Sequence, residues 1–130
     1  MNCNVLIVDD SPILRSAIAK VARLAGVPEE RIFFAGDGAK ALEVLEKQWI
    51  DLVLLDLNMP VMDGEEFARR LRANPALADT KVVIVSTESN QDRLDRLRAL
   101  GISEALRKPF QPEDLCQILV KLLGANPCAN

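Results

Sequence analysis

Residues 49–64 read WIDLVLLDLNMPVMDG. At the centre stands an unbroken apolar run, Leu52-Val53-Leu54-Leu55, with no polar alternation. That is the pattern of a strand buried on both faces, as in the middle of a parallel sheet. The run stops on Asp56, and Asn58, Pro60, Asp63 and Gly64 follow, all turn formers. Open α/β sheets place their chemistry at such a point, where a buried strand ends and a loop begins.

Upstream, Asn4-Val5-Leu6-Ile7-Val8 is a second apolar run that ends on acid, Asp9-Asp10. Ser11-Pro12 then supplies an N-cap and a proline for the first helical position. Leu14, Ile18, Val21 and Leu24 follow at helical spacing, and Gly26 closes the helix. Arg31 to Ala35 reads as a strand, and Asp37-Gly38 leads into a helix carrying Ala41, Leu42 and Leu45.

Downstream of Gly64, Phe67 and Leu71 define a helix with Glu65 and Glu66 four residues before Arg69 and Arg70. This is the favourable order for helical ion pairs. Lys81 to Ser86 is a strand ending on a hydroxyl. The helix from about Asn90 to Leu100 has only Leu94 and Leu97 as apolar anchors, so it is expected to be the least firmly docked element. Its arginines, Arg93, Arg96 and Arg98, read as a solvated face. The strand from about Ile102 to Arg107 is the most polar and belongs at an edge. A last helix carries Leu115, Ile118, Leu119 and Leu122, with Cys116 in or beside the core. Trp49 reads as a packing residue.

Five β–α units imply a doubly wound parallel sheet with right-handed crossovers, flavodoxin-like, with five helices. Placing the polar strand at an edge and the two solid apolar strands in the middle gives the order 2-1-3-4-5. The expected organisation is one domain over residues 1–124 and a frayed tail over 125–130.

The chain has 130 residues, 49% of them hydrophobic, and a net charge of −3, which offers no basic footprint for nucleic acid. Its apolar runs are too short for a bilayer, and the N-terminus lacks a signal peptide's charged opening. Cys3, Cys116 and Cys128 have no CxxC spacing, which favours reduced thiols and a cytoplasmic location. Histidine is absent, which disfavours zinc sites and imidazole catalysis.

The strand order gathers Asp9, Asp10 and Asp56 into one cluster. Three close carboxylates repel unless a cation or shared protons relieve them. With no histidine or thiol among them, a hard ion suits the set, and Mg²⁺ is the expected cofactor. Ser86 and Lys108 end the next two strands. A hydroxyl, a lysine and a metal ion around one carboxylate suit a phosphoryl group.

Asp9-Asp10, Asp56 with its LNMPVMDG run, Ser86 and Lys108-Pro109-Phe110 together resemble the receiver domain of two-component response regulators. The likeness is to the single-domain chemotaxis (CheY-like) type and covers nearly the whole chain. Taken singly, the acid pair reads as helix capping, Lys108 as a surface lysine and Ser86 as a strand end. The resemblance implies that Asp56 accepts a phosphoryl group from the phosphohistidine of a sensor histidine kinase or phosphotransfer protein. It implies that Asp10, Asp56 and the Asn58 carbonyl hold Mg²⁺, with Asp9 assisting through water. Ser86 would bond the phosphoryl group and Lys108 would pair with it. Asn58 and Glu88 would tune hydrolysis, and the Lys108–Pro109 bond would be cis. Output would be a protein partner read through the fourth helix, fifth strand and fifth helix of a monomer, with no nucleic acid and no membrane.

One departure stands out: Ala105 occupies a position where the family often carries an aromatic ring, and tyrosine is absent. Few residues follow the last helix, so output by partner binding is expected unless the chain is excised from a larger regulator or hybrid kinase. An unphosphorylated docking receiver is the other alternative. An aspartyl phosphatase would want a second acid two residues after the nucleophile, where Asn58 stands. A flavin protein would want a phosphate loop that Asp9-Asp10-Ser11-Pro12 does not offer.

Overall fold

The computed structural model describes residues 3–124; the expected tail at 125–130, with Cys128, lies outside the described residues. Strands β1 (Val5–Val8), β2 (Ile32–Ala35), β3 (Leu52–Leu55), β4 (Lys81–Ser86) and β5 (Glu104–Arg107) form one sheet in the order 2-1-3-4-5. All four pairings are parallel. Helices α1 (Pro12–Leu24), α2 (Gly38–Lys47), α3 (Gly64–Ala73), α4 (Gln91–Ala99) and α5 (Pro112–Leu123) alternate with them.

Successive strand residues face opposite sides, so each central strand feeds two cores. Val5, Ile7, Leu52, Leu54, Val83 and Val85 pack against α1 and α5 through Ile18, Ala22, Leu115 and Leu119. Leu6, Val8, Val53, Leu55, Val82 and Ile84 pack against α2, α3 and α4 through Ala41, Leu45, Phe67, Leu71 and Leu97. Cys116 is buried in the first of these cores. Truncating one such leucine to alanine costs about 2–5 kcal/mol, which makes the strand runs the main source of stability.

Caps fix where the helices begin. Ser11, Asp37, Asp63 and Asn90 each accept a hydrogen bond from a backbone N–H three residues on. Gly26, just past α1, takes φ 96°, a left-handed turn that favours glycine. Gly64 matters for space instead. Its N–H donates to the Leu57 carbonyl at 3.0 Å, and a Cβ there would stand 2.9 Å from the Leu57 Cα.

Several expectations need correction. Trp49 does not pack; it is 68% exposed, its indole donating to Asp51 at 3.1 Å. It precedes β3 at the sheet's amino end, where neither core reaches it. Leu24 is also exposed, because α1 turns Ile18, Ala19, Val21 and Ala22 inward instead. Arg31 belongs to a short 3-10 turn, Glu29–Arg31, and β2 starts at Ile32. On β5 only Glu104–Arg107 form the strand. Of the α4 arginines, Arg93 does not belong to a solvated face, as the site geometry shows below.

Candidate functional site

Register assembles the site at the carboxyl end of the sheet. Val8 pairs with Leu55, so Asp9 and Asp56 leave the sheet side by side. The Asp9 N–H donates to the Ala35 carbonyl at 3.1 Å and the Asp56 N–H to the Val8 carbonyl at 2.9 Å, extending the ladders past the strands. Ser86 pairs with Arg107, and the Lys108 N–H donates to the Ser86 carbonyl at 2.9 Å. Lys108 precedes a cis proline, as expected. Four strand ends thus deliver the acids, the hydroxyl and the lysine to one place.

One oxygen each from Asp9, Asp10 and Asp56 lie within 4.8 Å of one another. Asp9 and Asp56 are buried and Asp10 faces solvent. One Asp9 oxygen accepts from the Ser11 N–H at 2.9 Å, and the other from the Lys108 ammonium at 2.7 Å. The same ammonium stands 3.9 Å from Asp56. The Asn58 N–H approaches Asp56 at 3.5 Å, and the Ser86 hydroxyl also hydrogen-bonds its carboxylate. The Ser86 oxygen accepts from the Glu88 N–H at 3.3 Å.

Burial pushes the Asp56 carboxyl above its ordinary value; Lys108 opposes this and Asp9 adds to it. A single ammonium therefore leaves the acid cluster under-neutralised. Its donors are all hard oxygens, one side is open at Asp10, and the charge deficit calls for a cation. The carboxylates of Asp9, Asp10 and Asp56 fit a hard divalent cation such as Mg²⁺.

A second cluster adjoins the first and was not legible in the sequence. The Arg93 guanidinium, in the first turn of α4, donates to Glu65 at 3.1 Å, Glu88 at 2.9 Å and the Asn58 side chain at 3.2 Å. It also lies 3.4 Å from the Leu57 carbonyl oxygen and 3.6 Å from Asp63. Arg96 reaches Glu65 at 3.0 Å, and Arg69 reaches it at 2.7 Å. The expected pairs Glu65–Arg69 and Glu66–Arg70 are both present. Glu65 is nonetheless mainly a tertiary anchor, its carboxyl held down to about 2, with Arg96 the largest cause. Of the three α4 arginines Arg93 alone turns inward, while Arg96 and Arg98 keep exposed ends as a solvated face requires.

Between α4 and β5 lie two adjacent cavities of about 330 Å³ and 240 Å³, both bordered by Ile84, Leu94, Arg98 and Ala105. The methyl of Ala105 leaves this space unfilled. Against α1, a groove of about 530 Å³ runs from Leu14 and Leu24 to Lys108 and Phe110.

The chain belongs to the response regulator receiver domain family, whose model matches residues 5–120. It is a CheY-like receiver of two-component signalling. It is 34% identical over 125 residues to the cyclic di-GMP phosphodiesterase response regulator RpfG of Xanthomonas campestris, covering 94% of this chain but 33% of that protein. Similarity to a probable chemotaxis protein CheY of Rhizobium etli is 31% over 121 residues, covering 93% of this chain and 92% of the relative. Among solved structures, the receiver domain of a sensor histidine kinase from Pseudomonas aeruginosa matches with TM-score 0.82 and 27% identity, over 95% and 99% of the two chains. That structure has a magnesium ion coordinated in its active site cleft. Among the described residues no helix is long and apolar enough to cross a membrane.

Proposed function

We propose that this receiver is a phosphorylation switch whose acceptor is Asp56. The observation that carries the reading is the meeting, at one strand-end cluster, of a buried carboxylate with Lys108, Ser86 and two further acids. A phosphohistidine of a sensor kinase or phosphotransfer protein is the donor. An Asp56 oxygen bonds to phosphorus, the phosphorus–nitrogen bond breaks, and the imidazole leaves with the electron pair and is protonated. Mg²⁺, when bound, neutralises charge on the transferring group. Asp10, Asp56 and the Asn58 carbonyl would hold the ion, with Asp9 assisting through water. Lys108 moves its pairing from Asp9 to the phosphoryl oxygens, and the Ser86 hydroxyl turns from Asp56 to bond them.

Beyond its own phosphorylation and dephosphorylation the protein catalyses nothing. It acts in the cytoplasm as a monomer and binds a protein target. The output surface is α4, β5 and α5: α4 buries only Leu97, overlies unfilled space at Ala105, and is otherwise held by polar ties, chiefly Arg93 and Arg96 to Glu65.

With Mg²⁺ and acetyl phosphate, intact mass is expected to rise by one phosphoryl unit, labile to hydroxylamine. Asp56→Asn is expected to abolish the gain. Undiminished phosphorylation of that variant would move the acceptor elsewhere.

A further inference from the structure

Arg93 ties together the two residues that flank the acceptor. Asn58 lies two positions beyond Asp56 and Glu88 two beyond Ser86. Each has its backbone N–H on a site atom: Asn58 on Asp56 at 3.5 Å, Glu88 on the Ser86 oxygen at 3.3 Å. Each also has its side chain on the same Arg93 nitrogen, at 3.2 Å and 2.9 Å. Arg93 is itself anchored from behind by Glu65 at 3.1 Å, and its side chain is 17% exposed. A guanidinium has five donors in a rigid fork, so it can hold both flanking side chains at once.

We propose that Arg93 is a positioning residue that, by clasping Asn58 and Glu88, sets the lifetime of the phosphorylated state. The inference rests on Asp56 being the acceptor. Hydrolysis requires a water oxygen to bond to phosphorus opposite the Asp56 oxygen. The bond from phosphorus to that oxygen then breaks, Asp56 keeps the electron pair, and the water's protons pass to solvent and to the released phosphate. With their backbone N–H groups on Asp56 and on the Ser86 oxygen, Asn58 and Glu88 stand next to any group carried by Asp56. Drawn onto Arg93, their side chains are committed to the guanidinium and narrow the approach. Released, they can turn, open the approach and orient the water.

The experiment loads the full chain with acetyl phosphate and Mg²⁺, removes the donor, and follows the loss of the phosphoryl group by intact mass. Arg93→Gln is expected to lose it at least about threefold faster than the parent. Arg96→Gln, which breaks another Glu65 pair but touches neither flanking residue, is expected to keep the parent rate. In an Asn58→Ala/Glu88→Ala background, Arg93→Gln is expected to add nothing, because the clasp then has nothing to hold. A parent rate in Arg93→Gln, equal acceleration in Arg96→Gln, or an undiminished effect in the double-alanine background would each overturn the proposal. A parent chain that never acquires an acyl phosphate would overturn the acceptor assignment as well, and so separates the two failures.

Discussion

Lys108 holds Asp9 more closely than Asp56: its ammonium is 2.7 Å from an Asp9 oxygen and 3.9 Å from the nearest Asp56 oxygen. An ion entering among the acids meets this ammonium as a competitor for Asp9. The pairing keeps a buried carboxylate compensated until the ion arrives, and it leaves Lys108 free to change partner afterwards.

Lys108→Met is therefore expected to bind Mg²⁺ more tightly, by about fivefold or ~1 kcal/mol, since a like charge is removed from the cluster. Without Mg²⁺ the variant is expected to be less stable by about 1–3 kcal/mol, because Asp9 loses its partner. Calorimetric titration and urea unfolding check the two halves. Unchanged or weaker Mg²⁺ affinity would show that the ammonium does not compete.

Asp56 opposes folding for the sake of the site. Its folded-state pKa stands above its unfolded value, chiefly through burial. Above the folded-state pKa the ionised group disfavours the native state, and the penalty is relieved as pH falls through that value. In EDTA at neutral pH, Asp56→Asn is expected to be more stable than the parent. Saturating Mg²⁺ is expected to reverse the advantage, since the parent alone keeps all three acids. Urea midpoints in EDTA and in Mg²⁺ measure this.

Glu65 has the opposite sign. Its folded pKa of about 2 lies below the ordinary 4.5, so its contribution is full above about 4.5 and is lost as pH falls toward 2. Glu65→Gln is expected to cost about 1–3 kcal/mol at neutral pH, the exposed ends of Arg69 and Arg96 limiting the value. Stability measured between pH 4.5 and 3 is expected to fall less steeply in the variant than in the parent. Identical slopes would remove Glu65 as the acid-sensitive anchor of α4.

Trp49 is a spectator. It is exposed and stands seven residues before Asp56, roughly 23 Å along an extended strand. Its emission is expected to be readily quenched by iodide and to stay unchanged on adding Mg²⁺ and beryllofluoride. A strong response to metal would contradict the strand register.

The fold was legible because its signals are local. Leu52 to Leu55 and Val82 to Val85 are apolar without alternation, and Ser11-Pro12 and Asp63-Gly64 mark helix starts. Asp9, Asp56 and Ser86 were legible because each immediately follows such a run, whereas Lys108 follows the polar edge strand and was legible from the Lys108-Pro109-Phe110 motif. Arg93 and Glu65 were not, since they are 28 residues apart and no periodicity links them. In sequence, Glu65 already had a sufficient partner in Arg69, and the arginines of a polar helix look alike until one is seen to face inward. Trp49 misled for a related reason: aromatic character argues for burial, but its place at the amino edge of β3 lies beyond both cores.

The close approach of Gly64 to Leu57 has a mechanical consequence. Any side chain at position 64 would drive the start of α3 off the loop behind Asp56. This wall beside Asp56 is thus a fixed jaw, braced by glycine contact and by the full burial of Leu57. Opposite it, the wall carrying Ser86 and Glu88 leads into a helix with one buried side chain beside open space. On the proposed reading, a group added to Asp56 meets this rigid wall on one side and, on the other, a helix tied across the cleft only by polar contacts, those of Arg93 and Arg96.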